Sequence, residues 1–310
     1  MSLTKNSKQA DVLLKLQGVI PEGRLLVNEP LSKHTTFKIG GPADYLILPA
    51  TLDEISRVMV IAQEYKVPVT ILGNGSNILV LDKGIRGLVI KLGSDMSYIR
   101  HSESTICAGA GAMLADVSSY AAKNGLGGME FAIGIPGSIG GAVYMNAGAY
   151  SGEMCQVVVA VSGVCADGSV RRFVESELSF GYRHSIFQDN QCVICEVELS
   201  LQKQEQPTIE QKMNDYTLKR ETKQPLEMPS AGSTFKRPEG HFAGTLIEQA
   251  GLKGFAVGGA QVSMKHAGFI INAGGAMAQD VLELIKEVQH RVYKHSGVML
   301  QPEVRIYGEE

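Results

Sequence analysis

The chain has 310 residues, 44% of them hydrophobic, and a formal net charge of −3. That length fits two or three domains with sizeable cores. No basic run interleaves with aromatic residues, so nucleic acid is not an expected partner. No apolar stretch is long enough for a membrane span. The first twenty residues lack the apolar core of a signal peptide, and five cysteines without a secretory signal read as reduced thiols, so a cytoplasmic location is expected.

In chain order, residues 11–25 suit a short helix and a loop, and 45–49 a strand. Thr51-Leu52-Asp53-Glu54 has the form of a capping box. Apolar residues Leu52, Ile55, Val58, Met59 and Ala62 follow at helical spacing, which predicts a helix over 51–66. Strands are predicted over 68–72, 78–81 and 87–92, closing a first lobe of residues 1–92. A second lobe, 93–205, opens with a strand at 105–108 and a helix at 113–123 stopped by Gly125. A glycine-dense stretch to Gly152 and strands at 157–166, 170–174 and 192–201 follow. Residues 202–207 are polar and read as a linker. The third region, 206–303, starts with a charged helix at 209–223 and ends with an amphipathic one at 279–295. A terminal strand within 302–307 is placed to return, over 304–310, to the first lobe.

Two glycine loops carry the chemistry. Gly73-Asn74-Gly75-Ser76-Asn77 follows a strand directly, and its clustered backbone N–H groups suit a pyrophosphate. Gly134-Ile135-Pro136-Gly137-Ser138-Ile139-Gly140-Gly141-Ala142 leaves little room for side chains and is too apolar for a solvated loop. Two such loops on neighbouring lobes suggest one long diphosphate cofactor. No GxxxxGK[ST] is present, which rules out a kinase-type P-loop. The first loop fails the GxGxxG spacing, which disfavours a Rossmann dehydrogenase. Cys192-Val193-Ile194-Cys195 falls in a strand, where residues three apart point to opposite faces, so it is not a metal or redox pair. No His, Asp or Glu cluster has metal-ligand spacing, and His241 and His266 read as structural.

These loops, with His34-Thr35-Thr36-Phe37-Lys38-Ile39-Gly40-Gly41-Pro42-Ala43, resemble the flavin-binding part of the UDP-N-acetylenolpyruvoylglucosamine reductase family. Gly181-Tyr182-Arg183-His184-Ser185, Ala231-Gly232-Ser233-Thr234-Phe235 and Gln301-Pro302-Glu303-Val304-Arg305 resemble its catalytic set. Six motifs in the expected order from about residue 25 to the C-terminus make the likeness specific. It implies an α+β fold: a two-lobed FAD-binding domain of the vanillyl-alcohol-oxidase type and a C-terminal α+β substrate-binding domain. The first loop has no histidine, so non-covalent FAD is expected. Only residues 188–191 separate Ile186-Phe187 from the next strand, which implies the shorter form of the family, without its extra tyrosine-bearing loop.

The resemblance implies that NADPH reduces FAD, and that hydride then goes to C3 and a proton to C2 of an enolpyruvyl ether on a UDP-sugar. Arg183 would pair with the substrate carboxylate, for which its planar, permanently charged fork is suited. Glu303 would help polarise that carboxylate, and Ser233 would give the proton to C2. Tyr182, Lys223 and Arg237 are expected to contact substrate. Gly73, Asn74, Gly75, Ser76, Asn77, Gly134, Ile135, Pro136, Gly137, Ser138, Gly140 and Gly141 are expected to hold the flavin. Two other readings compete: an oxidase of sugars or alcohols on the same fold, which would need a base to deprotonate an alcohol, and a nucleotide-binding protein that has lost catalysis. Arg183, Ser233 and Glu303 together argue against both.

Overall fold

The computed structural model describes residues 2–309, and the side chains of residues 9–309. The fold is α+β, and its two compact units interleave along the chain. One contains the chain up to Val27, Tyr45–Asn74 and Gly87–Leu218. The other contains Asn28–Asp44, Gly75–Arg86 and the chain from Lys219 onward.

In chain order the elements are α1 (Ser2–Gln17), β1 (Leu25–Pro30), β2 (Pro42–Ile47), α2 (Leu52–Tyr65), β3 (Val69–Leu72), β4 (Ile78–Val80) and β5 (Ile85–Lys91). Next come β6 (Ile99–Ser102), β7 (Thr105–Gly109), α3 (Leu114–Lys123), β8 (Leu126–Gly127), α4 (Ile139–Tyr144), β9 (Gly148–Ala149) and β10 (Gly152–Glu153). Then follow β11 (Val158–Val164), β12 (Val170–Val174), β13 (Val193–Ser200), β14 (Gln202–Lys203), α5 (Gln206–Lys223) and β15 (Ser230–Ser233). The chain ends with α6 (Ala243–Gln249), β16 (Ala256–Val257), β17 (Ala260–Val262), β18 (Phe269–Asn272), α7 (Ala278–Ser296) and β19 (Arg305–Tyr307).

The first unit is built on a five-stranded antiparallel sheet in the order β12-β11-β13-β7-β6. A four-stranded sheet, β1-β2-β5-β3, contains the parallel pair β3 and β5. Helix α2 begins where the sequence pattern places it, because the Thr51 side chain accepts from the Glu54 N–H at 3.1 Å. It ends at Lys66 in a left-handed turn, φ 51°, just before Pro68. Its apolar stripe buries Ile55, Val58, Met59 and Ala62, each worth roughly 1.5–3 kcal/mol when fully enclosed, alanine less. These residues share a core with Val12 and Leu16 of α1 and with inward residues of both sheets.

The second unit has an antiparallel sheet, β15-β18-β17-β16. Helix α7 buries Val281, Leu284, Ile285, Val288 and Val292. The Asp82 carboxylate accepts from the Ala278 and Gln279 N–H groups at 2.9 and 3.1 Å, supplying negative charge where the helix exposes its first amides. Gly297 at φ 73° ends α7. Strand β19 lies parallel to β4, with Arg305 opposite Ile78 and Tyr307 opposite Val80.

Three expectations change. The N-terminal helix extends back to Ser2 instead of starting near residue 11. The polar segment 202–207 is not a linker: Gln202 and Lys203 pair with Gly127 and Leu126, and α5 starts at Gln206. The second glycine loop contains the start of a short helix, α4, capped by the Ser138 side chain. Among the described residues no helix is long and apolar enough to cross a membrane.

Glu54 holds more than the helix cap. Its carboxylate receives both Arg24 guanidinium nitrogens at 2.7 and 2.6 Å and the Ala50 N–H at 2.7 Å. The Arg24 hydrogen bonds hold the Glu54 pKa below the usual carboxylate range. A carboxylate whose pKa is lower when folded stabilises the fold above its unfolded pKa, and that contribution disappears as pH falls through the folded value. Glu54→Gln should therefore cost about 2 kcal/mol at pH 7. In urea unfolding, the deficit against the parent should shrink as pH drops below about 4. An equal deficit at both pH values would contradict this account.

Candidate flavin and substrate site

In the first unit the two glycine loops touch. Strand β3 ends at Leu72, just before Gly73, and the Asn74 side-chain amide donates to the Pro136 carbonyl at 2.6 Å. A Cβ on Gly73 would sit 2.5 Å from the Ser138 hydroxyl oxygen, so only glycine permits this approach. Ser138 is buried and accepts from the Gly141 N–H at 3.3 Å. The loop is clamped onto the end of β7. Ile139 N–H donates to Ala112 O at 2.8 Å, Gly140 N–H to Ala110 O at 3.0 Å, and Leu114 N–H to Gly137 O at 2.9 Å. A Cβ on Gly140 would meet that of Ala110 at 2.8 Å. The result is a side-chain-poor stretch of backbone packed against the segment that follows β7.

The Tyr182–Arg183 turn is fixed to the same short helix. Gly181 and His184 exchange backbone hydrogen bonds at 3.1 and 3.2 Å around it. Arg183 has φ 57°, a left-handed conformation that costs a non-glycine residue of order 1 kcal/mol and favours a functional reading. The Tyr144 carbonyl, at the end of α4, accepts from the Ser185 hydroxyl at 2.9 Å and from the Gln188 amide at 2.8 Å. Gln188 also donates to Arg183 O at 2.9 Å. Buried Asn146 donates to Gly181 O at 3.0 Å and to Glu153 at 3.1 Å, and accepts from the Cys155 N–H at 2.9 Å. The Arg183 guanidinium stands 5.2 Å from the centre of the exposed Tyr182 ring, within cation–π range.

The boundary between the units falls after Asn74, so Gly75, Ser76 and Asn77 belong to the second. Gly75 has φ 67°, and a Cβ there would lie 2.4 Å from His34 O. The Thr36 N–H donates to Gly75 O at 3.2 Å, and its hydroxyl to Ser230 O at 2.7 Å. The His34–Phe37 motif thereby ties the glycine turn to the strand that leads to Ser233.

Ser233 and Glu303 are neighbours in this unit. Strand β15 pairs with β18 through a bulge, where Gly232 takes φ 73°, and bulges re-aim the side chain that follows. Ser233 is exposed while the next residue, Thr234, is buried. Thr234 accepts from the Glu303 N–H at 2.8 Å, and Lys236 N–H donates to Gln301 O at 2.8 Å. The Asn77 side chain reaches Glu303 O at 3.4 Å, and its carbonyl accepts from Arg305 N–H at 3.0 Å. Ser233, Glu303 and the end of the first glycine loop therefore form one cluster. Lys223, at the end of α5, is exposed; the neighbouring Glu221 carbonyl accepts from the Lys265 ammonium at 2.7 Å. Arg237 is exposed and lies 4.1 Å from the centre of the Phe242 ring.

His266 turns inward. Its Nδ1 accepts from the Gly268 N–H at 3.0 Å, and burial holds its pKa below the ordinary value, as suits a structural histidine. Among the described residues, no group of three or more His, Cys, Asp or Glu is placed to hold a metal. Asn146 and Gln188, which hold the Tyr182–Arg183 turn, were not singled out by the sequence patterns, whereas Thr36, which holds the glycine turn, lies within the His34–Ala43 motif. The one available signal was Asn146, a polar residue inside the apolar glycine-dense stretch.

Residues 43–173 match the family model described as an FAD binding domain. Residues 224–307 match that of the UDP-N-acetylenolpyruvoylglucosamine reductase C-terminal domain. A protein of Syntrophomonas wolfei named UDP-N-acetylenolpyruvoylglucosamine reductase is 49% identical over 291 residues, 94% of this chain and 97% of that one. The crystal structure of the Thermus caldophilus reductase of that name superposes with a TM-score of 0.79 at 37% identity, over 92% of this chain and 98% of that one. An alkyldihydroxyacetonephosphate synthase, at 16% identity and a TM-score of 0.50, covers 63% of this chain and 40% of its own, and shares the fold alone. Flavin-loop geometry, α+β architecture and full-length similarity lead to one assignment: this chain belongs to the UDP-N-acetylenolpyruvoylglucosamine reductase family of FAD-dependent oxidoreductases.

Proposed function

We propose that this enzyme uses NADPH to reduce the enolpyruvyl ether of UDP-N-acetylglucosamine to UDP-N-acetylmuramate, a cytoplasmic step of peptidoglycan precursor synthesis. The observation that carries this reading is the placement of Ser233 and Glu303 on adjoining extended segments, joined through the Thr234 carbonyl. We take the side-chain-poor backbone around Gly73–Asn77 and Gly134–Gly141 as the flavin-diphosphate region; glycine is required at 73, 75 and 140 because a Cβ would strike Ser138, His34 or Ala110. We infer that these residues bind FAD without a covalent link, since the loops contain no histidine. Bound there, FAD would supply the hydride for C3, with NADPH as the source of electrons.

The remaining chemistry belongs to the chain. An enolpyruvyl ether is a poor hydride acceptor, because negative charge builds up on C2 and its carboxylate. Arg183 pairs with that carboxylate and keeps its own charge throughout. The left-handed turn, fixed by Asn146 and Gln188, sets the direction of the guanidinium in advance, so little ordering is required when substrate arrives. Ser233 holds its hydroxyl proton for transfer to C2. A free serine is a very weak acid, but the strongly basic centre formed at C2 can take its proton. Glu303 helps to polarise the substrate carboxylate. Tyr182, Lys223 and Arg237 bind the UDP-sugar, Lys223 through its diphosphate and Arg237 through the diphosphate or the sugar. The proposed flavin-holding lobes, 1–92 and 93–205, and substrate-binding part, 206–303, cut across the two compact units: residues 28–44 and 75–86 group with the chain from Lys219 onward, and 206–218 with the first unit.

Two experiments test these roles. Ser233→Ala should leave anaerobic reduction of the flavin by NADPH at the parent rate and slow its reoxidation by the enolpyruvyl UDP-sugar by about 10²-fold or more. Equal damage to both half-reactions would remove Ser233 as the proton donor. Asn146→Ala should loosen the Tyr182–Arg183 turn, raising KM for the UDP-sugar about tenfold while the flavin stays bound. An unchanged KM would show that Asn146 does not position Arg183.

A further inference from the structure

Strand β11 ends at Val164 opposite Val193, the first residue of β13. One step beyond this register, Cys165 faces Cys192. The Cys165 N–H donates to Ser169 O at 2.9 Å, and the Cys192 N–H to the Asn190 side chain at 3.0 Å. Neither amide crosses to the other strand, which is the pattern of a non-hydrogen-bonded antiparallel pair. Such pairs hold their Cα atoms about 4.5 Å apart, inside the range of about 4.4–6.8 Å that a disulfide requires. Side chains directly opposite on antiparallel strands project to the same face, and burial together with the neighbouring Cys165 pushes the Cys192 thiol up to about 12. Cys192 is 7% exposed, and Cys165 is half-buried and open to small reagents.

The other three cysteines have no such arrangement. Cys195 is fully buried, with its thiol donating to Val193 O at 3.3 Å. Cys155 has its thiol 3.6 Å from Glu153. Cys107 belongs to β7, two strands away from β11 in the sheet.

We propose that Cys165 and Cys192 form a two-thiol oxidation site that peroxides close to a disulfide. The sulfur of Cys165 attacks one peroxide oxygen, giving a sulfenic acid and one water. The sulfur of Cys192 then displaces the hydroxyl from that sulfenic acid, forming the S–S bond and a second water. Two electrons pass from the thiol pair to hydrogen peroxide, and both thiol protons leave in the water. The pair stands at the base of the excursion 166–191, which contains β12 and the Tyr182–Arg183 turn. Closure therefore staples the two ends of the segment that presents Arg183.

The test is peroxide treatment of the folded, flavin-loaded enzyme, followed by thiol counting and peptide mass mapping after denaturation. The titre should fall from five thiols to three, with one cross-linked peptide pair, 2 Da lighter, joining Cys165 to Cys192. The melting temperature should rise by about 5 °C and return on reduction. Cys165→Ser should abolish the cross-link and the rise, whereas Cys195→Ser should keep both. Retention of all five thiols, a bridge between Cys192 and Cys195, or stepwise oxidation of Cys165 with Cys192 left reduced would each overturn the proposal.

Discussion

The second unit depends on one pairing: the last strand of the chain, β19, lying parallel against β4, with Arg305 opposite Ile78. The partners are more than two hundred residues apart in sequence, so the loop they close is entropically expensive. Burial of Leu79 and Val80 and continued hydrogen bonding beyond the strands, Leu81 N–H to Tyr307 O at 2.8 Å, offset that cost. The consequence is chemical. Strand β4 begins immediately after the first glycine loop, and β19 begins two residues after Glu303. One parallel ladder therefore sets the spacing between the Gly75–Asn77 turn and the carboxylate, while the Thr234 carbonyl places Ser233 beside it.

The first unit solves a similar problem differently. Its strained Tyr182–Arg183 turn has no ladder to support it, and relies on side-chain hydrogen bonds to backbone carbonyls. Ser185 and Gln188 meet at the Tyr144 carbonyl, and Asn146 holds Gly181. Because Tyr144 ends the helix that Ser138 begins, the glycine loop and the arginine turn are joined through one short helix. Rigid support of this kind favours a group that must meet developing charge without reorganising.

Much of this was legible in the sequence. The Thr51 cap, the apolar stripes of α2 and α7, and the stop at Gly125 are local signals, and local physics realises them, although the Glu54 carboxylate goes to Arg24 and Ala50 N–H rather than closing a capping box. The glycine loops were legible because only glycine tolerates their close contacts, and the order of motifs gave the family. The short strands β1, β6 and β15 to β18 were not, since strands of two to six residues acquire their identity from partners remote in sequence. The polar segment 202–207 misled for the same reason: its strand exists through pairing with β8, not through its own pattern. Gln188 is an ordinary surface-type residue until the fold brings carbonyls to it. Ser233 and Glu303 stood out through the resemblance; their adjacency became visible only through the Thr234 carbonyl.

The central claim is that these glycine loops hold a flavin that shuttles electrons from NADPH to an enolpyruvyl UDP-sugar. An anaerobic absorbance titration of the purified protein tests it most directly. The account predicts a yellow protein that bleaches with stoichiometric NADPH and recovers its full flavin spectrum on addition of the enolpyruvyl UDP-sugar. A colourless protein with no affinity for FAD, or a bleached flavin that the UDP-sugar leaves reduced, would contradict it.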